Sequence, residues 1–311
     1  MRQRRSAGEF YVNAINVMRG AESLSTYAPI SDAEKFRIEY WALEEAKLQR
    51  LPKPKSHQGR IAFVTGAASG IGAATARLFH QRGWQVGLLD INASALADLA
   101  AELGGAWHQA LDVSDAEAVA AALAAFTEGA KGRLRLLFNC AGILRVGRFE
   151  EISLDEHVRV IQVNVIGLLQ MTHAAFPYLR AMPGAQVINM GSASGVYGVP
   201  QFASYSASKF AVRGFTEALE IEWQRYDIRV GDLMPPFVRT PMVSSQSVTS
   251  PILDRLGVDL DAADVAEAVW LQAHDARVHR PVGHQFTWLY RLGQVTPSAV
   301  MRRLMALVSR P

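Results

Sequence analysis

The chain of 311 residues is half hydrophobic and one-fifth charged, enough to bury a substantial core and too apolar for a disordered polypeptide. Its formal charge of +3 comes without a dense Lys/Arg block set among aromatics, which argues against nucleic acid as a partner. Cys140 stands alone, so no internal disulfide forms, and neither a secretory leader nor a run of about 18 uncharged apolar residues is visible; the expected setting is the cytoplasm, with a reduced thiol.

Residues 1–58 differ in composition from the rest. A helical pattern over 32–51 sets Phe36, Ile38, Tyr40, Trp41, Leu43 and Leu48 among charges, and Pro52 and Pro54 stop it. The expectation is a helical N-terminal extension with a stiff linker over 1–58, followed by one domain over 59–311. From Arg60 onward short aliphatic runs at 61–65, 85–90, 106–111, 134–139, 186–190 and 228–233 read as strands covered on both faces. Helical spacing fills the intervals at 71–82, 93–103, 115–127, 154–182 and 203–226. Strand alternating with helix gives an α/β fold, a doubly wound parallel sheet of the Rossmann type.

The first strand runs into the glycine-rich turn 66–72 and then a helix, the context a dinucleotide fingerprint requires. Gly66 suits a tight turn, Gly70 and Gly72 let backbone approach a pyrophosphate, and the free amides around Ser69 and Ile71 at the helix start supply donors. The spacing G-x-x-x-G-x-G departs from G-x-G-x-x-G. Asp90 closes the second strand eighteen residues after Gly72, where an acid meets the adenosine ribose hydroxyls. A carboxylate there repels a 2′-phosphate, so NAD is favoured and NADP stays open. Asp112, ending the third strand, reads either as a contact to the adenine edge or as a helix cap.

Ser192, Tyr205 and Lys209 form the other constellation. Tyr205 and Lys209, four apart, share one helix face, and an ammonium beside a phenol favours the phenolate, a usable proton acceptor. Ser192, at the end of the preceding strand, is placed to bond the same substrate oxygen. Cys140 follows Asn139 at the end of an apolar strand and reads as buried and inert.

With TGAASGIG at 65–72, Asp112 and Val113, NCAG at 139–142, Asn164 in QVNVIG, Ser192, and YSASK at 205–209, residues 59–290 resemble a short-chain dehydrogenase/reductase. The resemblance implies Tyr205 as catalytic acid/base, Ser192 holding the substrate oxygen, Lys209 on the nicotinamide ribose while lowering the tyrosine pKa, and Asn164 anchoring a water in a proton relay. It also implies cofactor contacts from Val113, Asn139, Ala141, Gly142, Pro235, Val238 and Thr240, a sheet of seven strands, and homodimers or homotetramers. Cys140 replaces a usual asparagine. Pro236 replaces a usual glycine after Pro235, which predicts a shifted path for the loop carrying Val238 and Thr240. In the N-terminal region, 11–22 and 39–50 resemble the junction of bifunctional aldolase/dehydrogenases, but no aldolase body is present.

The substrate wall is expected from 143–149, 196–202 and 237–256, supplying Leu144, Val146, Phe149, Val196, Tyr197, Val199, Phe202, Phe237, Met242 and Val243, with Arg145, Arg148 and Arg239 as the charges. That composition suits an apolar alcohol or ketone. The basic, amphipathic tail 285–310 is expected to pack on protein rather than rest on a membrane surface. The leading expectation is an NAD-dependent dehydrogenase, with an NADP-linked carbonyl reductase and a non-catalytic nucleotide-binding sensor or scaffold as alternatives.

Overall fold

The computed structural model describes residues 60–245 and 260–296, together with 15–20, 22–24, 31, 33, 34, 300, 303 and 306. The chain divides into two compact units, Met1–Pro54 and Lys55–Pro311. In the first unit residues 15–20 are helical; the helix expected at 32–51 and its proline stop lie outside the described residues apart from 33 and 34. The second unit begins β1 (Ile61–Thr65), α1 (Gly70–Gln81), β2 (Gln85–Asp90), α2 (Ala93–Glu102), β3 (Trp107–Ala110), α3 (Ala116–Glu128) and β4 (Leu136–Asn139). It continues α4 (Leu154–Ile161), a π-turn (Gln162–Gly167), α5 (Leu168–Arg180), β5 (Gln186–Met190), α6 (Ala203–Trp223) and β6 (Arg229–Met234). After these come β7 (Val238–Arg239), α7 (Pro241–Ser244), β8 (Leu260–Asp261), α8 (Ala262–Gln272), β9 (His279–Pro281) and α9 (His284–Val295).

Aliphatic residues follow one another in the strands because each face of the sheet is covered. β1 sends Ala62 and Val64 to one core and Phe63 to the other, and β4 likewise divides Leu136 and Phe138 from Leu137. Helices α1, α2 and α8 close the first core through Phe79, Leu96 and Val265, whereas α3, α5 and α6 close the second through Leu123, Met171 and Leu219. Each such side chain contributes about 1.5–3 kcal/mol by leaving water. Gly87 makes room for the second core, since a Cβ there would lie 2.6 Å from the Phe63 ring.

The seven-stranded sheet has the order β3-β2-β1-β4-β5-β6-β9 with every pairing parallel. The chain steps outward from β1 to β3 and then returns beside β1 as β4, so loops from β1 and β4 diverge and open a crevice at their C-terminal ends. The expected strands 61–65, 85–90 and 186–190 match residue for residue, and the other three shift by one or two residues. The single helix expected over 154–182 is interrupted by the π-turn, an inserted residue that helical spacing alone does not reveal. The short pair β7–β8 carries too little sequence pattern to have been read, as does β9.

β9 is held to β6 by charge as well as by its ladder. Asp232, fully buried, lies opposite His279 in register. His279 Nδ1 is 3.0 Å from each Asp232 carboxylate oxygen and Nε2 is 2.9 Å from Glu217 Oε1 on α6. A ring facing a carboxylate from each nitrogen donates from both, which makes it an imidazolium. Burial works against that charge, but the bonds to Asp232 and Glu217 outweigh burial and the repulsion of Arg213, so the His279 pKa is raised. Tyr290 on α9 and Arg213, paired with Glu217 at 2.9 Å, complete the surroundings. His279→Leu should destabilise the fold by about 3 kcal/mol, because it strands the Asp232 carboxylate in the interior. Since the folded pKa lies above the ordinary 6.5, the clamp's contribution is complete below about pH 6.5 and is lost as pH rises through the folded value. Denaturant unfolding across pH 6–9 checks this: the wild-type protein should lose stability toward high pH, and a stability that holds level or rises across that range would refute the clamp.

Candidate active site

The β1 strand ends in Thr65, whose Oγ1 accepts the amides of Cys140 and Ala141 at 3.0 Å each and so ties the β4 loop to the β1 loop. Gly66 follows at φ +65°, and a Cβ on it would lie 2.9 Å from the Cα and N of Ala141. Gly72 packs the start of α1 on the same turn, with a Cβ position only 2.0 Å from the Gly66 carbonyl oxygen. Helices α2, α3, α4 and α8 begin with a side-chain cap from Asn92, Asp115, Ser153 and Asp261, but Ser69 gives α1 none. The first amides of α1 are therefore left for a ligand, and no acidic residue stands in that turn. Asp90 accepts the Ala68 amide at 3.0 Å on Oδ2 and the Asn92 amide at 2.9 Å on Oδ1, which fixes its carboxylate at the mouth of the turn. The uncapped helix, the blocked Cβ positions and the anchored acid fit a dinucleotide.

A cavity of about 410 Å³ joins this turn to the second constellation. Its wall includes Gly66, Ser69, Gly70, Ile71, Gly72 and Asp90 on one side and Ser192, Tyr205 and Lys209 on the other. Gly142, Pro235, Val238 and Thr240 also line it. The segment after Pro235 and Pro236 reaches the turn, for a Cβ on Gly70 would lie 3.3 Å from the Thr240 methyl.

Ser192 caps a single 3₁₀ turn, its Oγ accepting the Ser194 amide at 3.1 Å, which leaves its hydroxyl proton to donate. That turn closes onto α6, where a Cβ on Gly195 would sit 2.8 Å from the Lys209 carbonyl oxygen. Lys209 Nζ donates to the Met190 carbonyl at 2.7 Å and stands 5.4 Å from the Tyr205 ring centre. Burial raises the Tyr205 phenol to about 12, with hydrogen bonding from Ser192 pulling the other way. The same burial lowers Lys209 to about 8. In this fold the ammonium is turned to a carbonyl and burial dominates at the phenol, so the expected depression of the tyrosine pKa by Lys209 is not seen there. Burial pushes the Cys140 thiol up to about 12 as well, so at neutral pH it is a protonated, inert group in the cavity wall.

Other expected residues are engaged within the protein. Asn164, presented inward by the π-turn, accepts the Ile143 amide at 2.8 Å and donates to the Ile143 carbonyl at 3.0 Å and Ser208 Oγ at 3.1 Å. It braces the loop after β4 against α6. Asn139 turns into the core, donating to Thr172 and Asn189 at 2.9 Å each. Asp112 accepts from Ser114 and pairs with Arg159, and Val113 packs against Gly167, so neither lines the cavity; nor does Ala141. Asp115, rather than Asp112, caps α3.

Leu144, Arg145, Phe202, Phe237, Met242 and Val243 extend the cavity beyond the tyrosine, backed by Val146, Tyr197 and Val199. Phe149 is instead exposed and stacked on His157 at 4.4 Å, and 246–256 lie outside the described residues. Val196 packs with Ala193, Met234 and Phe286. Ser194, Gly191 and Met190 line the cavity without having been read from the sequence, since a strand's last residue and the short turn after it carry no signal of their own.

The family model described as short chain dehydrogenase matches residues 60–250, and that described as aldolase class II, second domain, matches residues 2–48. D-threitol dehydrogenase of Mycolicibacterium smegmatis is 37% identical over 188 residues, covering 59% of this chain and 72% of that protein. The 2,5-dichloro-2,5-cyclohexadiene-1,4-diol dehydrogenase of Sphingobium indicum is 34% identical over 234 residues, 70% of this chain and 91% of that one. Cyclohexanol dehydrogenase of an Acinetobacter strain is 34% identical over 215 residues, 66% of this chain and 85% of that protein. Among solved structures, 3-ketoacyl-(acyl-carrier-protein) reductase from Brucella melitensis, complexed with NADH, superposes with a TM-score of 0.66 at 29% identity, covering 73% of this chain and 98% of that one. With the glycine turn, the anchored acid and the Ser192, Tyr205 and Lys209 set facing one cavity, this match makes the chain a member of the short-chain dehydrogenase/reductase family, an NAD(P)-dependent oxidoreductase.

Proposed function

We propose that the chain interconverts an apolar secondary alcohol and its ketone, with NAD as the favoured cofactor and Tyr205 as the group that moves the proton. The observation that carries this is the single cavity shared by the Tyr205 phenol, the Ser192 hydroxyl, the Lys209 ammonium and the uncapped glycine turn. A bound nicotinamide ring supplies the two-electron acceptor or donor for the substrate carbon.

The chain's own residues do the rest. Ser192 directs its hydroxyl proton to the substrate oxygen and orients it. Tyr205 is protonated at neutral pH, so in reduction its phenolic oxygen gives a proton to that oxygen, and in oxidation it must first ionise. Lys209, fixed by the Met190 carbonyl, holds the ribose hydroxyls, and Asn164 keeps the loop after β4 in place at the entry to a proton relay. The amides around Gly66, Ser69, Gly70, Ile71 and Gly72 receive the pyrophosphate. Asp90 has spare lone pairs on both oxygens for ribose hydroxyls and repels a 2′-phosphate.

The apolar lining favours a cyclic or otherwise hydrophobic substrate, in keeping with the names of the cyclohexanol and dichlorocyclohexadienediol dehydrogenases among the relatives. The name D-threitol dehydrogenase favours a small polyol as the second reading. We take 59–311 as the catalytic domain and 1–58 as its extension. Leu154, Val158, Leu169 and Phe210, exposed on α4, α5 and α6, support assembly of like subunits. No described helix is long and apolar enough to cross a membrane.

Tyr205→Phe should keep NAD affinity, read by fluorescence titration, and lose turnover by about 10²–10⁴-fold; turnover within a few-fold of wild type removes the tyrosine from its role. Asp90→Ala should lower the kcat/KM preference for NAD over NADP by at least roughly tenfold, the worth of one repulsive contact of about 1.4 kcal/mol; an unchanged ratio would mean that the acid does not select the cofactor. With the phenol raised to about 12, oxidation should accelerate as pH rises from 7 to 8 while reduction does not; a flat oxidation profile with chemistry rate-limiting contradicts a tyrosine that must ionise. A panel running from cyclohexanol to threitol, followed by NADH absorbance, decides between the two substrate readings.

A further inference from the structure

The sheet has a second charged end. Opposite the glycine turn, where strands begin, Arg60 precedes β1, Arg135 precedes β4 and Arg229 opens β6. The Arg135 amide donates to the Ile61 carbonyl at 3.1 Å, and the Gln85 amide to the Arg60 carbonyl at 2.8 Å, so these arginines sit on a common edge. Arg135 is half-buried. Its Nη1 donates to the Pro183 carbonyl at 2.7 Å, and Gly184, at φ +70°, makes space for it, since a Cβ there would lie 2.7 Å from the same nitrogen.

No described carboxylate forms an ion pair with Arg135. Burial and the fields of Arg229 and Arg60 lower its pKa, and Asp227 offsets them only in part. Lys131 and Arg133, in the turn between α3 and β4, are exposed and make no side-chain hydrogen bond or ion pair. All three line a cavity of about 290 Å³, together with Ile61, Gln85 and Met182. The turn is fixed in shape: Lys131 and Gly132 take the left-handed region at φ 57° and 69°, and the Gly132 amide donates to the Thr127 carbonyl at 2.9 Å.

A guanidinium partly removed from water without a carboxylate is costly, and repulsion from two neighbours adds to the cost. An anion bound beside Arg135 offsets both penalties at once. Three cations lining one hollow match a tetrahedral dianion better than a single carboxylate, with the planar fork of Arg135 joined by the exposed side chains of Lys131 and Arg133. We propose that the hollow formed by Lys131, Arg133 and Arg135 is an anion site that takes a phosphate group, separate from the dinucleotide crevice. The five residues of β1 put about 17 Å between the two.

Thermal unfolding of the full chain in inorganic phosphate, against sodium chloride of equal ionic strength, tests the site, with and without saturating NAD to fill the glycine turn. With NAD present, phosphate at about a hundredfold excess over its dissociation constant should raise the wild-type Tm by roughly 5 °C. Lys131→Gln/Arg133→Gln, a change confined to two exposed side chains, should abolish that rise and leave NAD binding and basal activity unchanged. The charge-preserving pair Lys131→Arg/Arg133→Lys should restore it. No rise beyond chloride, or an equal rise in the glutamine variant, would overturn the proposal, the latter placing the phosphate elsewhere on the protein.

Discussion

Gly66 stands where two backbones leave no volume for a side chain. β1 and β4 are far apart in sequence but adjacent in the sheet, and their loops separate just beyond Thr65 and Asn139. With Thr65 Oγ1 holding two amides of the β4 loop, and the Gly66 Cβ position 2.9 Å from Ala141, the two loops are held close together here. The contact then propagates. Gly142 and Ile143 come next in that loop, Asn164 fastens Ile143 at both its amide and its carbonyl, and the same asparagine bonds Ser208, next to Lys209. One run of close contacts thus connects the nucleotide turn to the acid/base pair, and the spacing between the two halves of the site is built into the backbone.

The cost of that closeness is dryness. Removing water disfavours whichever form of a group is charged, so the phenol is pushed up and the ammonium down, and their pKa values move apart to about 12 and about 8. At neutral pH Tyr205 is therefore an acid in waiting, and Lys209 keeps its charge with little to spare. The Met190 carbonyl gives that charge a partner, and Ser192 gives the phenol one. Small dipoles, placed by the end of β5 and the turn after it, decide what a proton does here.

How much of this the sequence discloses follows from the range of each interaction. Strands buried on both faces announce themselves as aliphatic runs, and three of the six were bounded to the residue. The glycine turn and the Tyr205 and Lys209 pair are local motifs, legible because their chemistry depends on spacing within a few residues. Asn139, Asp112 and Asn164 were legible as positions but not as geometry. Their partners, Asn189 and Thr172, Arg159, and the Ile143 backbone, lie 21 to 50 residues away, and only folding reveals that they are engaged. The π-turn is hidden for a related reason: one extra residue per turn leaves the apolar spacing nearly unchanged while rotating Asn164 inward.

The clamp at the far edge of the sheet escaped for the same reason, and it bears on the site from behind. His279 joins β9 to β6 through Asp232, and the Val282 amide continues that attachment by donating to the Met234 carbonyl at 3.1 Å. The chain then enters α9, whose Phe286 is buried against Met234 and Ala193. Ala193 is the residue after Ser192, and its own amide donates to Pro235 at 2.9 Å. The serine turn is consequently pressed between α6 in front, through Gly195 and Lys209, and α9 behind. The buried acid on β6 is partnered by its histidine, so the charge pair at the edge, the last helix and the turn that carries Ser192 form one mechanical unit.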